Sequence, residues 1–122
     1  MLPSTLELLR DIAREAEFLS MHAAQVTPEK LLEDEVMKRA FVRSVEVIGE
    51  AAKKVPEETR QELADLEWKK MAGMRDKLIH DYGGVDYLIV WDVARNKAPA
   101  LAARLKPAIQ QAAAQMDQGK QG

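Results

Sequence analysis

The chain has 122 residues, a formal net charge of −2 and no cysteine. That length suits one compact domain, burying roughly two-thirds of its unfolded surface. The charge argues against a strongly basic, non-specific nucleic-acid binder, and the absence of thiols excludes disulfides and thiolate metal sites. Hydrophobic residues make up 47%, charged residues 31% and aromatics only 5%, a globular composition that favours helix over sheet. No apolar run is long enough to span a bilayer and no signal-peptide pattern opens the chain, so we expect a soluble, cytoplasmic protein without membrane contact.

In chain order, Ser4 is placed to cap a first helix, with Glu7 as its capping-box partner and Leu6, Leu9, Ile12, Ala16 and Leu19 as its stripe. Thr27-Pro28 reads as a break and a new N-terminus. From Glu35 to Val55 one long stripe runs through Met37, Phe41, Val45, Ile48 and Ala52. Gly49 interrupts it at a cost of about 1 kcal/mol against Ala, which suggests close approach of another backbone. Pro56 should end this helix, and Leu63 and Leu66 anchor a short surface helix over 57–66. Trp68, Met71, Met74, Leu78 and Ile79 predict a fourth helix ending near Tyr82, before the stop at Gly83-Gly84. Asp86 is placed to cap a fifth, bent or restarted at Asn96 or Pro99 and kinked at Pro107. The expected architecture is all-α, an antiparallel bundle of about five helices over residues 1–110, with a frayed tail over 111–122.

Residues 75–82, Arg-Asp-Lys-Leu-Ile-His-Asp-Tyr, gather a fixed cation, an imidazole and a phenol. Arg can hold a phosphate, His can move a proton near neutral pH, and Tyr can bond or be modified. On a continuous helix Arg75 and Tyr82 are nearly eclipsed, Asp76 and His80 face each other, and Arg75 and His80 diverge by about 140°. One straight helix therefore cannot aim Arg75 and His80 at one atom. The reach of arginine, unwinding at Gly83, or a second copy across a two-fold axis would reunite them. His80 as general base and acid, Asp76 orienting it, and Arg75 neutralising a phosphoryl oxygen are parts for metal-free RNA cleavage by the ribose 2′-hydroxyl. The same residues also fit plainer roles, with His80 at a helix C-terminus and Asp76–His80 as an ordinary surface pair. Lys69-Lys70 and Lys53-Lys54 read as solvated faces or as steering charges for RNA. The two histidines, His22 in an interhelical turn and His80, lie far apart, and no spacing suggests a metal site or a cofactor.

The octapeptide resembles the Arg-x-x-x-x-His-x-Tyr signature of the HepT-like toxins, a branch of the HEPN superfamily. Arg43 to Lys53 resembles that family's Ile-Gly-Glu-Ala helix, Trp68 to Arg75 its approach to the motif, and Val85 to Trp91 the segment after it. The similarity is colinear over most of residues 5–110. It implies an all-α homodimer acting as a metal-independent endoribonuclease, the toxin of a type VII-like toxin–antitoxin module. Arg75 and His80 would serve a dimer-interface cleft, and the partner would be a minimal nucleotidyltransferase antitoxin of the MntA type. Tyr82 would then be the AMPylation site, where added charge and bulk repel RNA. Lys77 and Lys70 are candidate substrate-binding residues. Between residues 67 and 81, four cations (Lys69, Lys70, Arg75, Lys77) face three acids (Glu67, Asp76, Asp81). So nearly balanced a site suggests a modest or selective nuclease. The alternative is a non-catalytic helical subunit that binds nucleotide or substrate for a separate nucleotidyltransferase.

Overall fold

A computed structural model describes residues 1–80 and 84–121, the side chains of residues 79, 80, 120 and 121 excepted. Its helices are α1 (Pro3–Ala23), α2 (Pro28–Glu33), α3 (Glu35–Lys54), α4 (Glu57–Glu62), α5 (Trp68–Ala72), α6 (Met74–Leu78), α7 (Tyr87–Asp92) and α8 (Ala98–Gln121). A π-helical turn, Val93–Lys97, joins α7 to α8, and two short strands, β1 (Ile79–His80) and β2 (Gly84–Val85), pair between α6 and α7. The domain is all-α in its core, with more and shorter helical pieces than the five expected. None of its helices is long and apolar enough, among the described residues, to cross a membrane.

Helix α1 packs on both α3 and α8. Leu9, Ile12, Ala16 and Leu19 of α1 meet Phe41, Val45, Ile48 and Ala52 of α3 in one buried cluster. These positions repeat at the helical period, which is why the sequence periodicity found them. The first cap differs from expectation. Pro3 opens α1 at its first turn, Leu2 occupies the cap position without a side-chain bond, and Ser4 lies inside the helix. Proline suits that position because its missing N–H would have no helical partner there. Glu7 instead pairs with Arg10 at 2.7 Å. His22 belongs to the last turn of α1, its ring 4.5 Å from that of Phe18.

Other punctuation follows the chemistry of the residues. Thr27 accepts a bond from the Lys30 amide, and Asp34 accepts one from Met37, so α2 and α3 are capped in succession. Val55, before Pro56, is extended and ends α3. Arg60 then folds its guanidinium back onto the carbonyl oxygens of Ala52, Lys53 and Val55 at 2.9–3.0 Å. One side chain thereby satisfies three carbonyls at the end of α3 and fastens α4 to it.

Helix α8 carries Pro107 within it and continues through Gln121, across the segment expected as a tail, with Ala112 buried. The bend expected at Asn96 or Pro99 is the π turn, in which the Ala98 amide reaches back to the Val93 carbonyl. Pro99 has no N–H for an ordinary helical bond, and the wider turn just ahead of it absorbs that loss.

Gly49 has the role expected of it. A β-carbon there would sit 3.0 Å from the Met71 carbonyl oxygen and 3.9 Å from the Arg75 nitrogen. Gly49→Ala should therefore lose about 1–2 kcal/mol of stability from overpacking, despite the gain in helix propensity. Urea unfolding measures this, and a stabilised variant would show that α5 yields to the methyl group.

Candidate active site

The site is assembled on α3, whose Arg43–Lys53 stretch does four separate jobs. Ser44 is buried and donates a 2.8 Å bond to Glu15 of α1, locking the rotation of α3. Ile48 enters the core, and Gly49 admits the backbone of α5 and α6. Glu50 then stands beside Arg75, with carboxylate and guanidinium 3.9 Å apart and side chains 44% and 54% exposed. At that separation and exposure the pair steers a mobile guanidinium and adds little stability. Glu50 is a contact that reading the octapeptide alone misses. Its signal in the sequence is its place next to the glycine that admits the partner backbone.

The local structure of the octapeptide corrects the helical argument. Helix α6 ends at Leu78, and its buried side chain anchors the segment. His80 belongs to β1, its backbone opposite Gly84, and Ile79 is opposite Val85. The Leu78 carbonyl receives the Asp86 amide at 3.0 Å, closing the hairpin. These cross-strand partners replace the helical bonds that would have carried α6 to Tyr82. The i,i+4 facing of Asp76 and His80 and the 140° divergence of Arg75 and His80 therefore do not describe this backbone. Arg75, Asp76 and Lys77 are exposed on α6. Asp81, Tyr82 and Gly83 lie outside the described residues, and with them the expected position of the Tyr82 hydroxyl.

After the hairpin, Gly84 adopts φ +85, a value that side chains disfavour. Asp86 caps α7 by accepting from the Leu88 and Ile89 amides. The Lys38 ammonium of α3 lies 5.0 Å from the centre of the Tyr87 ring, a cation–π contact across the base of the hairpin. Among the described residues, no three His, Cys, Asp or Glu side chains gather as metal ligands.

On the other side of α6 a groove of about 520 Å³ runs between α5–α6 and the π turn with the start of α8. Met71, Met74, Val93 and Leu101 line it with Lys70 and Lys77, so both candidate substrate-binding lysines meet there. Arg75 is not among its lining residues.

The family model for HepT-like ribonucleases matches residues 6–108. The chain belongs to the HepT-like ribonuclease family. A protein of Caldanaerobacter subterraneus subsp. tengcongensis named "Putative RNase" is 44% identical over 102 residues, 84% of this chain and 91% of its own. A "Putative RNase" of Methanocaldococcus jannaschii is 48% identical over 73 residues, 60% of each chain. A "Probable ribonuclease HepT" of Thermococcus cleftensis is 34% identical over 100 residues, 82% of this chain and 91% of its own. No solved structure matches.

In this HepT-like domain the loop between α4 and α5 is latched to the last helix by charge. Asp65 accepts from Arg104 at 2.7 and 3.1 Å, and Glu67 lies between Lys70 at 2.7 Å and Lys97 at 3.8 Å. Hydrogen bonding to Arg104 holds the Asp65 carboxyl below its usual range, and bonding to Lys70 does the same for Glu67. Carboxyls depressed in the folded state stabilise it fully above their unfolded pKa values, and that contribution is lost as pH falls through the folded values. The stability lost between about pH 5 and pH 2 should therefore be smaller in an Asp65→Asn/Glu67→Gln variant than in wild type. Thermal unfolding followed by circular dichroism across that range makes the comparison. Identical pH profiles would show that the latch contributes nothing.

Proposed function

We propose that the chain is the toxin of a toxin–antitoxin pair and acts as a metal-independent endoribonuclease, with Arg75 and His80 as its catalytic pair. The observation that carries the reading is the octapeptide's setting in a family-matched fold. Arg75 stands on α6 against Glu50, and His80 follows after the helix has given way to a hairpin. His80 takes the proton from the ribose 2′-hydroxyl as that oxygen attacks the adjacent phosphorus, and the proton is then returned to the leaving 5′-oxygen. Arg75 offers a delocalised cation to the phosphoryl oxygens as negative charge builds on them. Asp76, expected to orient the imidazole from a continuous helix, loses that facing where α6 ends at Leu78, so the catalytic pair stands without it. The ribose supplies the nucleophile, so the protein needs neither a covalent intermediate nor a bound cation.

The cleft forms where two copies of the chain meet, each bringing its own hairpin to a two-fold axis. Val36 and Leu88, 79% and 78% exposed, support an apolar contact of this kind. Each is within two residues of the Lys38–Tyr87 contact at the base of the hairpin. The partner is a minimal nucleotidyltransferase that transfers AMP from ATP to the Tyr82 oxygen, with pyrophosphate leaving. The added phosphodiester brings negative charge and bulk that repel and block RNA phosphate.

Expression of wild type should slow growth and degrade cellular RNA. His80→Ala and Arg75→Ala should each reduce cleavage by about 100-fold or more. Equal toxicity, or equal harmlessness, of all three proteins would sink the catalytic assignment. Intact mass of the chain co-expressed with its partner should show adenylyl increments that vanish in Tyr82→Phe. An increment mapped to another residue overturns the role of Tyr82.

A further inference from the structure

We infer that the groove between α6 and the π turn is a nucleobase subsite, seating one unstacked base of the RNA strand, with guanine preferred. The inference deepens the ribonuclease reading and rests on it for the identity of the ligand. Its floor is apolar, from Met71, Met74, Val93 and Leu101, and its volume of about 520 Å³ lies within the range of small-ligand pockets. Methionine thioethers are polarisable and make favourable contacts with aromatic rings. A base lifted out of a strand needs such a surface to replace the stacking it has lost.

The walls supply polarity of a particular kind. Asn96 and Asp92 both line the groove, and the Asn96 amide donates to one Asp92 oxygen at 2.9 Å. That bond uses one of the amide's two N–H groups, and the other stays free to donate. The bond leaves the Asn96 carbonyl and the second Asp92 oxygen as acceptors. A wall of acceptors suits a base edge made of adjacent donors, which guanine presents with its ring N–H and exocyclic amine. Uracil offers a single N–H between two carbonyls and would meet acceptor with acceptor. The π turn matters here because Asn96 and Lys97 belong to it and Asp92 immediately precedes it.

Charge at the rim completes the match. Lys70, Lys77, Lys97 and Arg104 line the groove against Asp65, Glu67 and Asp92. Asp65 is engaged by Arg104, and Glu67 is shared by Lys70 and Lys97. No carboxylate among the described residues forms an ion pair with Lys77, which sits two residues after Arg75 on the same short helix. The ribose phosphate of the seated nucleotide meets Lys77, and the strand continues over α6 towards Arg75. The groove thus becomes the determinant of where a strand is cut.

The test reads the groove directly. The chain has six methionines, and methyl-labelled methionine NMR resolves them while GMP, AMP, CMP or UMP is added to the protein. GMP should shift the Met71 and Met74 methyl signals by ring current and leave those of Met1 and Met21 unmoved. UMP should bind about tenfold more weakly, and Asn96→Ala should erase that preference. Lys77→Ala should weaken GMP about fivefold, the worth of one hydrogen bond, without changing the order of bases. Still Met71 and Met74 signals at millimolar nucleotide would overturn the proposal. So would shifts that follow protein concentration and ignore nucleotide, which would give the groove to a second copy of the chain. Methyl shifts without any RNA cleavage by wild type would keep the subsite and remove the ribonuclease reading. Cleavage by wild type with unresponsive methyls would do the reverse.

Discussion

The arrangement depends on the contact between Gly49 of α3 and the carbonyl of Met71, where no side chain can intervene. Helices α5 and α6 have five residues each, far below the length at which an isolated helix holds in water. They persist because Trp68, Met71 and Leu78 are buried in the main cluster and because α3 lets their backbone come close. The Trp68 indole also donates to the Leu63 carbonyl at 2.9 Å, tying the approach loop to the same core. Lys70, Arg75 and Lys77 ride on this pair of short helices, and the strand that carries His80 follows directly from it. Their placement is only as firm as the helix below them. Arg60 on the end of α3 and Ser44 on its flank make that helix a fixed reference.

Much of this was legible because it is written in local chemistry. The stripes of α1 and α3, the caps at Thr27 and Asp86, the stop before Pro56 and the close approach at Gly49 each follow from residue type and spacing. The end of α6 at Leu78 was not legible. Nothing between Leu78 and Tyr82 breaks a helix, and the first glycine comes at 83. What ends the helix is pairing of Ile79 and His80 with Val85 and Gly84. Strands of two residues carry no period for a sequence pattern to show. Ser4 misled for a related reason, since a good capping residue one place after a proline yields to the proline. The groove escaped notice because its walls come from two segments some twenty residues apart. Only the fold brings Lys77 and Asn96 to one cavity.

The early end of α6 also changes what must be asked of a dimer. On an unbroken helix, Arg75 and His80 point apart, and a second copy is the natural way to reunite them. With His80 in a hairpin, the helical angle no longer separates the pair, so that geometric reason for a shared site falls away. The proposal of two copies rests instead on the apolar surface at Val36 and Leu88. It also follows that Arg75 and His80 answer to different constraints. Arg75 is steered by Glu50 from α3, whereas the His80 backbone is set by Gly84, whose positive φ turns the chain back. A substitution that disturbs the hairpin would therefore move the His80 backbone without moving Arg75. The cation and the hairpin can therefore be perturbed one at a time, by substitution at Glu50 on the one side and at Gly84 on the other.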